Sequence, residues 1–152
     1  MRLLFVLAVV SIAALAAAQA PRSAIRFINP EALSTPTGYT HVVEAPRGRT
    51  IYVAGQVALD KTGAVVGRGD FRAQTKQVFE NLKAALAAAG AGFKDVVKTN
   101  TYVTDVSQLP ALREVRAGYL GANPPASTLV QVSRLAREEF LIEVEAIAVI
   151  PE

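Results

Sequence analysis

No cysteine occurs among the 152 residues, which excludes disulfides and thiolate metal sites. Histidine occurs once, at His41, so neither a multi-histidine metal centre nor two-histidine acid–base chemistry is available. Tryptophan is absent, and no G-x-S-x-G elbow marks a serine hydrolase. Charge is sparse and mixed: 16 Lys and Arg against 13 Asp and Glu give a net +3. Without a block of like charges, nothing reads as a nucleic-acid arm or a polybasic membrane patch. Beyond the first 20 residues no apolar run is long enough to span a bilayer.

The apolar content concentrates at the start. Residues 1–20 contain only three polar side chains, Arg2, Ser11 and Gln19. Met1-Arg2 forms a basic tip, an apolar stretch follows, and Ala16-Ala17-Ala18 and Ala18-Gln19-Ala20 both fit a small-residue cleavage signal. Pro21 disfavours cutting after Ala20, so cleavage after Ala18 is expected. This pattern predicts a secretory signal peptide over 1–20 and a periplasmic or secreted protein, with no membrane association once the leader is removed. Residues 21–38, rich in Pro, Ser, Thr and Gly, read as an irregular arm with a short strand near 24–27. Residues 39–152 read as one domain.

Within that domain, strands are expected over 40–45, 50–59, 96–104, 127–135 and 140–150. Two helices separate them. Asp70 is a plausible N-cap for the first, whose stripe runs Phe71, Thr75, Val78, Phe79, Leu82, Leu86 and closes at Gly90. The second is expected to be capped by Ser107, with Pro110 in its first turn, and to run to about Leu120. The order β-β-β-α-β-α-β-β, with a hairpin at each end, predicts a two-layer α/β sandwich: one mixed sheet with two helices on one face. Strands 50–59 and 140–150 carry apolar residues on both faces, so the face without helices should meet another subunit.

Few residues carry candidate chemistry. Glu143 and Glu145, at i and i+2 on one strand, point to the same face about 7 Å apart amid apolar neighbours. Such carboxylates are either paired across the sheet or poised for acid–base work. Arg116 falls on or beside the apolar stripe of the second helix, where a guanidinium needs a partner or a route to water. His41 beside Val42 and Val43 reads as a strand or surface residue, and Arg68-Gly69-Asp70 as a turn leading into a helix cap.

Four stretches, IYVAGQVALDKTGAVVGRGDF (51–71), QTKQVFENLKAALAAAG (74–90), DVVKTNTYVTD (95–105) and PPASTLVQVSRLAREEFLIEVEAIAV (124–149), together resemble the reactive-intermediate deaminase family, also called Rid or YjgF. The resemblance implies a chorismate-mutase-like fold and a homotrimer with ligand pockets in the clefts between subunits. It also implies hydrolysis of small imines and enamines, such as 2-iminopropionate and 2-aminoacrylate, with no metal or organic cofactor. Ribonuclease activity, proposed for some relatives, is not expected here, because the charge is weak, a second histidine is absent and the leader predicts export, so no nucleic-acid partner is expected. In that family a Pro-Ala-Arg motif supplies the arginine that grips the substrate carboxylate; here the triplet is Pro125-Ala126-Ser127. Gly55 matches the glycine whose backbone lines the pocket, Ala54 replaces a Ser or Thr before it, and Tyr39 resembles the pocket-edge tyrosine. Glu143 matches the glutamate near the attacking water. The resemblance thus implies Glu143 as catalytic and Tyr39, Ala54, Gly55 and Ser127 as substrate-binding. Arg116 departs from the family, whose active members often carry Asn there, and is expected to bind substrate as an anion anchor from the helix side. Ser127 in place of arginine implies an altered choice of substrate. The alternative is an exported, non-catalytic trimer that binds a small ligand in the same clefts.

Overall fold

The computed structural model describes residues 24–152, so the leader expected over 1–20 lies outside the described residues. Strands β1 (Arg26–Ile28) and β2 (Val42–Glu44) pair antiparallel into a small ribbon. The main sheet contains β3 (Gly48–Gln56), β4 (Val96–Val103), β5 (Ala126–Gln131) and β6 (Ile142–Pro151), in the order β3-β6-β4-β5. Strand β6 runs antiparallel to both β3 and β4, and β5 runs parallel to β4, so the sheet is mixed. Helices α1 (Phe71–Ala88) and α2 (Leu109–Leu120) pack on each other and close one side of the sheet.

Helix α1 forms where its sequence signals place it. The Asp70 carboxylate accepts a hydrogen bond from the Ala73 amide at 3.0 Å. At the other end the amides of Gly90 and Ala91 donate to the carbonyls of Ala87 and Leu86, a paired closure that satisfies the last turn. Its stripe buries Phe71, Val78, Phe79, Leu82 and Leu86. Gln74 lies in the same stripe, fully buried. Its amide donates to the carbonyls of Glu139 and Gly67 and accepts from the Leu141 amide, tying the chain before β6 to the helix. Ser107 does not cap α2: the Asp105 carboxylate accepts from its amide and hydroxyl in a short 3-10 turn, and α2 starts at Leu109 with Pro110 in its first turn.

The expected hairpins at the two ends do not form. Strand β2 pairs with β1 rather than β3. Strand β6 pairs with β3 and β4 rather than with β5. The α2 crossover returns the chain beside β4 in the same direction, which makes β5 the parallel edge strand. Strand β6 has the stronger alternation, with Ile142, Val144, Ala146 and Ala148 buried against the helices. It therefore takes the central position, where both its edges are hydrogen-bonded.

Within one chain the face of β3 away from the helices is open. Tyr52 is 78% exposed, and Val130 on β5 is 41% exposed on the same open face. Strand β3 also ends at Gln56, earlier than expected, and just before that end Ala54 and Gly55 together stand opposite the single residue Glu145. This one-residue bulge turns the strand next to the two carboxylates of β6.

Candidate functional site

The open face of the sheet carries both glutamates. On β6, Glu145 lies opposite Asn100 and Glu143 opposite Tyr102. Neither meets a Lys or Arg across the strand. Asn100 donates to Glu145 at 2.7 Å and the Tyr102 hydroxyl donates to it at 2.9 Å. That hydrogen bond, with some burial and the charges of Glu145 and Glu143, raises the Tyr102 phenol above the usual tyrosine range. Glu145 is thus a held carboxylate. Beside it, Tyr52, Ala54, Lys98 and Ile147 border a depression of about 360 Å³.

Glu143 is placed differently. No hydrogen bond or ion pair joins its carboxylate to another described residue. It lies against the backbone of Gly55, inside the space a side chain there would take. A Cβ added to Gly55 would overlap Glu143 Oε1 and stand 2.8 Å from Cδ and 3.0 Å from Cγ. The bulge at Ala54 and Gly55 and the lack of a side chain at Gly55 therefore make room for this carboxylate together.

The remaining predicted residues gather elsewhere. Tyr39, Arg116 and Ser127 line one cavity of about 280 Å³, with Thr37, Arg113 and the apolar walls Leu109 and Leu129. The N-terminal loop is held there by Thr40, whose hydroxyl donates to the Pro124 carbonyl at 2.6 Å and whose amide donates to the Pro125 carbonyl. The Tyr39 ring packs edge-on against His41, 5.2 Å between centroids. His41 Nε2 lies 2.7 Å from the Ser34 carbonyl, so the imidazole braces this loop. Ser127 accepts a hydrogen bond from Thr99 at 3.2 Å.

Arg116 is 8% exposed, and its Nη2 donates to the Gly38 carbonyl at 2.7 Å. Gly38 adopts φ 76°, a left-handed turn that aims this carbonyl inward and leaves no room for a side chain beside the guanidinium. Burial, with the charge of Arg113 adding to it, lowers the Arg116 pKa from its ordinary value. Among the described residues neither Arg113 nor Arg116 forms an ion pair.

The six predicted site residues thus fall into two groups. Glu143, Gly55 and Ala54 occupy the open face. Ser127 is paired with Thr99, a buried residue one position from Lys98 and Asn100, and so lies on the helix side with Tyr39 and Arg116. A single chain does not bring the two groups around one small molecule. Arg113 and Thr37 were not singled out from the sequence. Arg113 sits among charged residues on an amphipathic helix, and Thr37 lies in a segment with no pattern.

A further motif is resolved as structural. Arg68 of the Arg68-Gly69-Asp70 tripeptide pairs with Glu139, and Asp70 is occupied as the α1 cap.

Comparison with known proteins accords with this geometry. The Endoribonuclease L-PSP family model matches residues 29–150. A RutC family protein of Pyrococcus horikoshii is 44% identical over 111 residues, 72% of this chain and 85% of its own. The 2-iminobutanoate/2-iminopropanoate deaminase of Rattus norvegicus is 38% identical over 101 residues, 66% of this chain and 73% of its own. Among solved structures, a Rid-family protein of unknown function from Yersinia pestis superposes with a TM-score of 0.77 at 45% identity, covering 82% of this chain and 98% of its own. The chain belongs to the Endoribonuclease L-PSP family, the Rid/YjgF proteins.

Proposed function

We propose that this protein is a hydrolytic deaminase of small imines or enamines, with a substrate choice altered from that of relatives that carry arginine at position 127. One observation carries the reading: the unpartnered Glu143 carboxylate seated over Gly55 on the open face. A carboxylate so placed can accept a proton from water as the oxygen adds to the C=N carbon. That proton returns to nitrogen to give a carbinolamine; its hydroxyl proton then passes, again by way of the carboxylate, to nitrogen as the C=O forms and the C–N bond breaks, so imine and water become a carbonyl compound and ammonia. The backbone of the bulge beside Gly55 offers polar groups to the substrate. The rat relative, named as a deaminase of 2-iminobutanoate and 2-iminopropanoate, supports this reaction class.

The two groups of site residues are proposed to meet between subunits of a homotrimer. The open face with exposed Tyr52 would then be covered by a neighbouring copy, whose Tyr39, Arg116 and Ser127 complete the pocket. No cofactor is required for this chemistry. The leader over 1–20 would place it in the periplasm or outside the cell. The non-catalytic alternative is favoured by Ser127, which offers one neutral hydroxyl where a charged fork would hold a carboxylate.

Ammonia release from freshly generated imines, with and without an α-carboxylate, tests the reading. Turnover that vanishes in Glu143→Gln is expected. No turnover of any imine by a correctly assembled protein would leave the ligand-binding alternative. Light scattering should give three times the subunit mass, and a stable monomer would remove the shared pocket.

A further inference from the structure

We infer that the Arg113–Arg116 cavity is built for a small dicarboxylate, and that Arg113 selects substrates bearing a second acidic group. The inference rests on the deaminase reading only where it names the substrate, an imine carrying two carboxylates; the binding site stands on its own geometry. Arg113 and Arg116 lie three residues apart on α2, so their side chains leave the same helix face and both line the cavity. Among the described residues of the same chain, no carboxylate lines it. Arg116 is buried with a single backbone carbonyl as partner, and a guanidinium has five N–H donors. A buried cation without a counter-charge is costly, and a second cation beside it adds repulsion. The buried Arg116 offers its free donors to one carboxylate, and the exposed Arg113, without an ion-pair partner among the described residues, is left at the mouth to meet a second.

The walls favour carbon between the charges. Leu109 and Leu129 form apolar sides, while Tyr39 and Ser127 supply hydroxyls. At about 280 Å³ the cavity is at the small end for ligand sites, which fits a compact diacid. A second recess of about 210 Å³ adjoins Arg113 and Arg116 from the Gly38 side, so both guanidiniums are reachable.

The test uses the full assembled protein. An amino-acid oxidase generates iminosuccinate from aspartate and 2-iminopropionate from alanine, and kcat/KM is measured for each. Succinate, propionate and inorganic phosphate are titrated separately by calorimetry. The wild type should prefer iminosuccinate and bind succinate over propionate. Arg113→Gln should shrink the preference roughly ten- to hundred-fold, as expected for hydrogen bonds to a charged group, and Arg113→Lys should recover part of it. Arg113 is exposed, so these variants should keep the wild-type melting temperature. Equal or greater turnover of 2-iminopropionate would overturn the inference and leave the deaminase reading intact. Succinate binding that depends on Arg113, without turnover of either imine, would support the site and defeat the deaminase reading. Tighter binding of phosphate than of succinate would overturn the choice of a diacid, and binding of none of the probes would overturn the site.

Discussion

Replacing Gly55 by alanine separates a positioning role from a packing role. The new Cβ would overlap Glu143 Oε1 and lie 2.8 Å from Cδ, whereas carbon atoms settle at roughly 3.5–4.0 Å. The carboxylate must retreat by about 1 Å or more. The obstacle is the end of a flexible side chain on the open face, so the sheet itself need not move. Gly55 does not use the left-handed backbone region, and alanine in a compatible conformation stabilises by about 0.4–1 kcal/mol through the unfolded chain. Gly55→Ala should therefore leave the melting temperature unchanged or slightly raised. Imine hydrolysis should nevertheless fall on the order of a hundredfold, the usual consequence of a 1 Å misplacement of a reacting group. In a Glu143→Ala background the same substitution should cost nothing further, because the group it displaces is gone. Full activity in Gly55→Ala would refute the claim that Glu143 works from this seat. Loss of folding would show that Gly55 is needed by the sheet rather than by the carboxylate.

Three other outcomes are expected. Ser127→Arg should raise kcat/KM on α-imino acids if position 127 still anchors the substrate carboxylate, and should add little if Arg116 and Arg113 have taken over that task; kinetics of Ser127→Arg beside Arg116→Ala distinguishes them. Burial, together with the hydrogen bond to Glu80, pushes the Tyr119 phenol up to about 12, above its unfolded value near 10. Its stabilising contribution is therefore complete below pH ~10 and lost as pH rises towards ~12, so Tyr119→Phe should flatten the alkaline fall in melting temperature over that interval. Protein isolated from its native host should begin near Gln19 or Pro21 by N-terminal sequencing, and an intact Met1 on a cytosolic protein would refute the leader.

What the sequence disclosed follows the range of the interactions concerned. Helix α1 was legible because its cap at Asp70, its stripe and its closure at Gly90 are all local. The placement of β5 was not, because a polar turn between two strands reads as a hairpin whichever neighbours the strands finally choose. Arg116 stood out because a charge interrupts an apolar stripe, and its burial fits that signal. Arg113 carried no such mark, since an exposed arginine on a helix looks like any solvated residue until a cavity forms beside it. Family resemblance marked Glu143 and Gly55 each as a pocket residue, but the seating of one over the other was not legible, because a bulge depends on registry between distant strands. Nothing in the residue order told that Ser127 and Glu143 occupy opposite sides of the sheet.

Strand β6 keeps two accounts on one backbone. Ile142, Val144, Ala146 and Ala148 fill the space beneath the helices, while Glu143 and Glu145 alternate with them on the other face. Sliding the strand by one residue would bury the carboxylates and expose the core, so the folding of the domain also sets the orientation of both glutamates. Substitution at the outward positions, by contrast, leaves the packed positions untouched. A lineage could therefore retune what it binds or transforms by changing alternate letters of this strand, inheriting the scaffold unaltered.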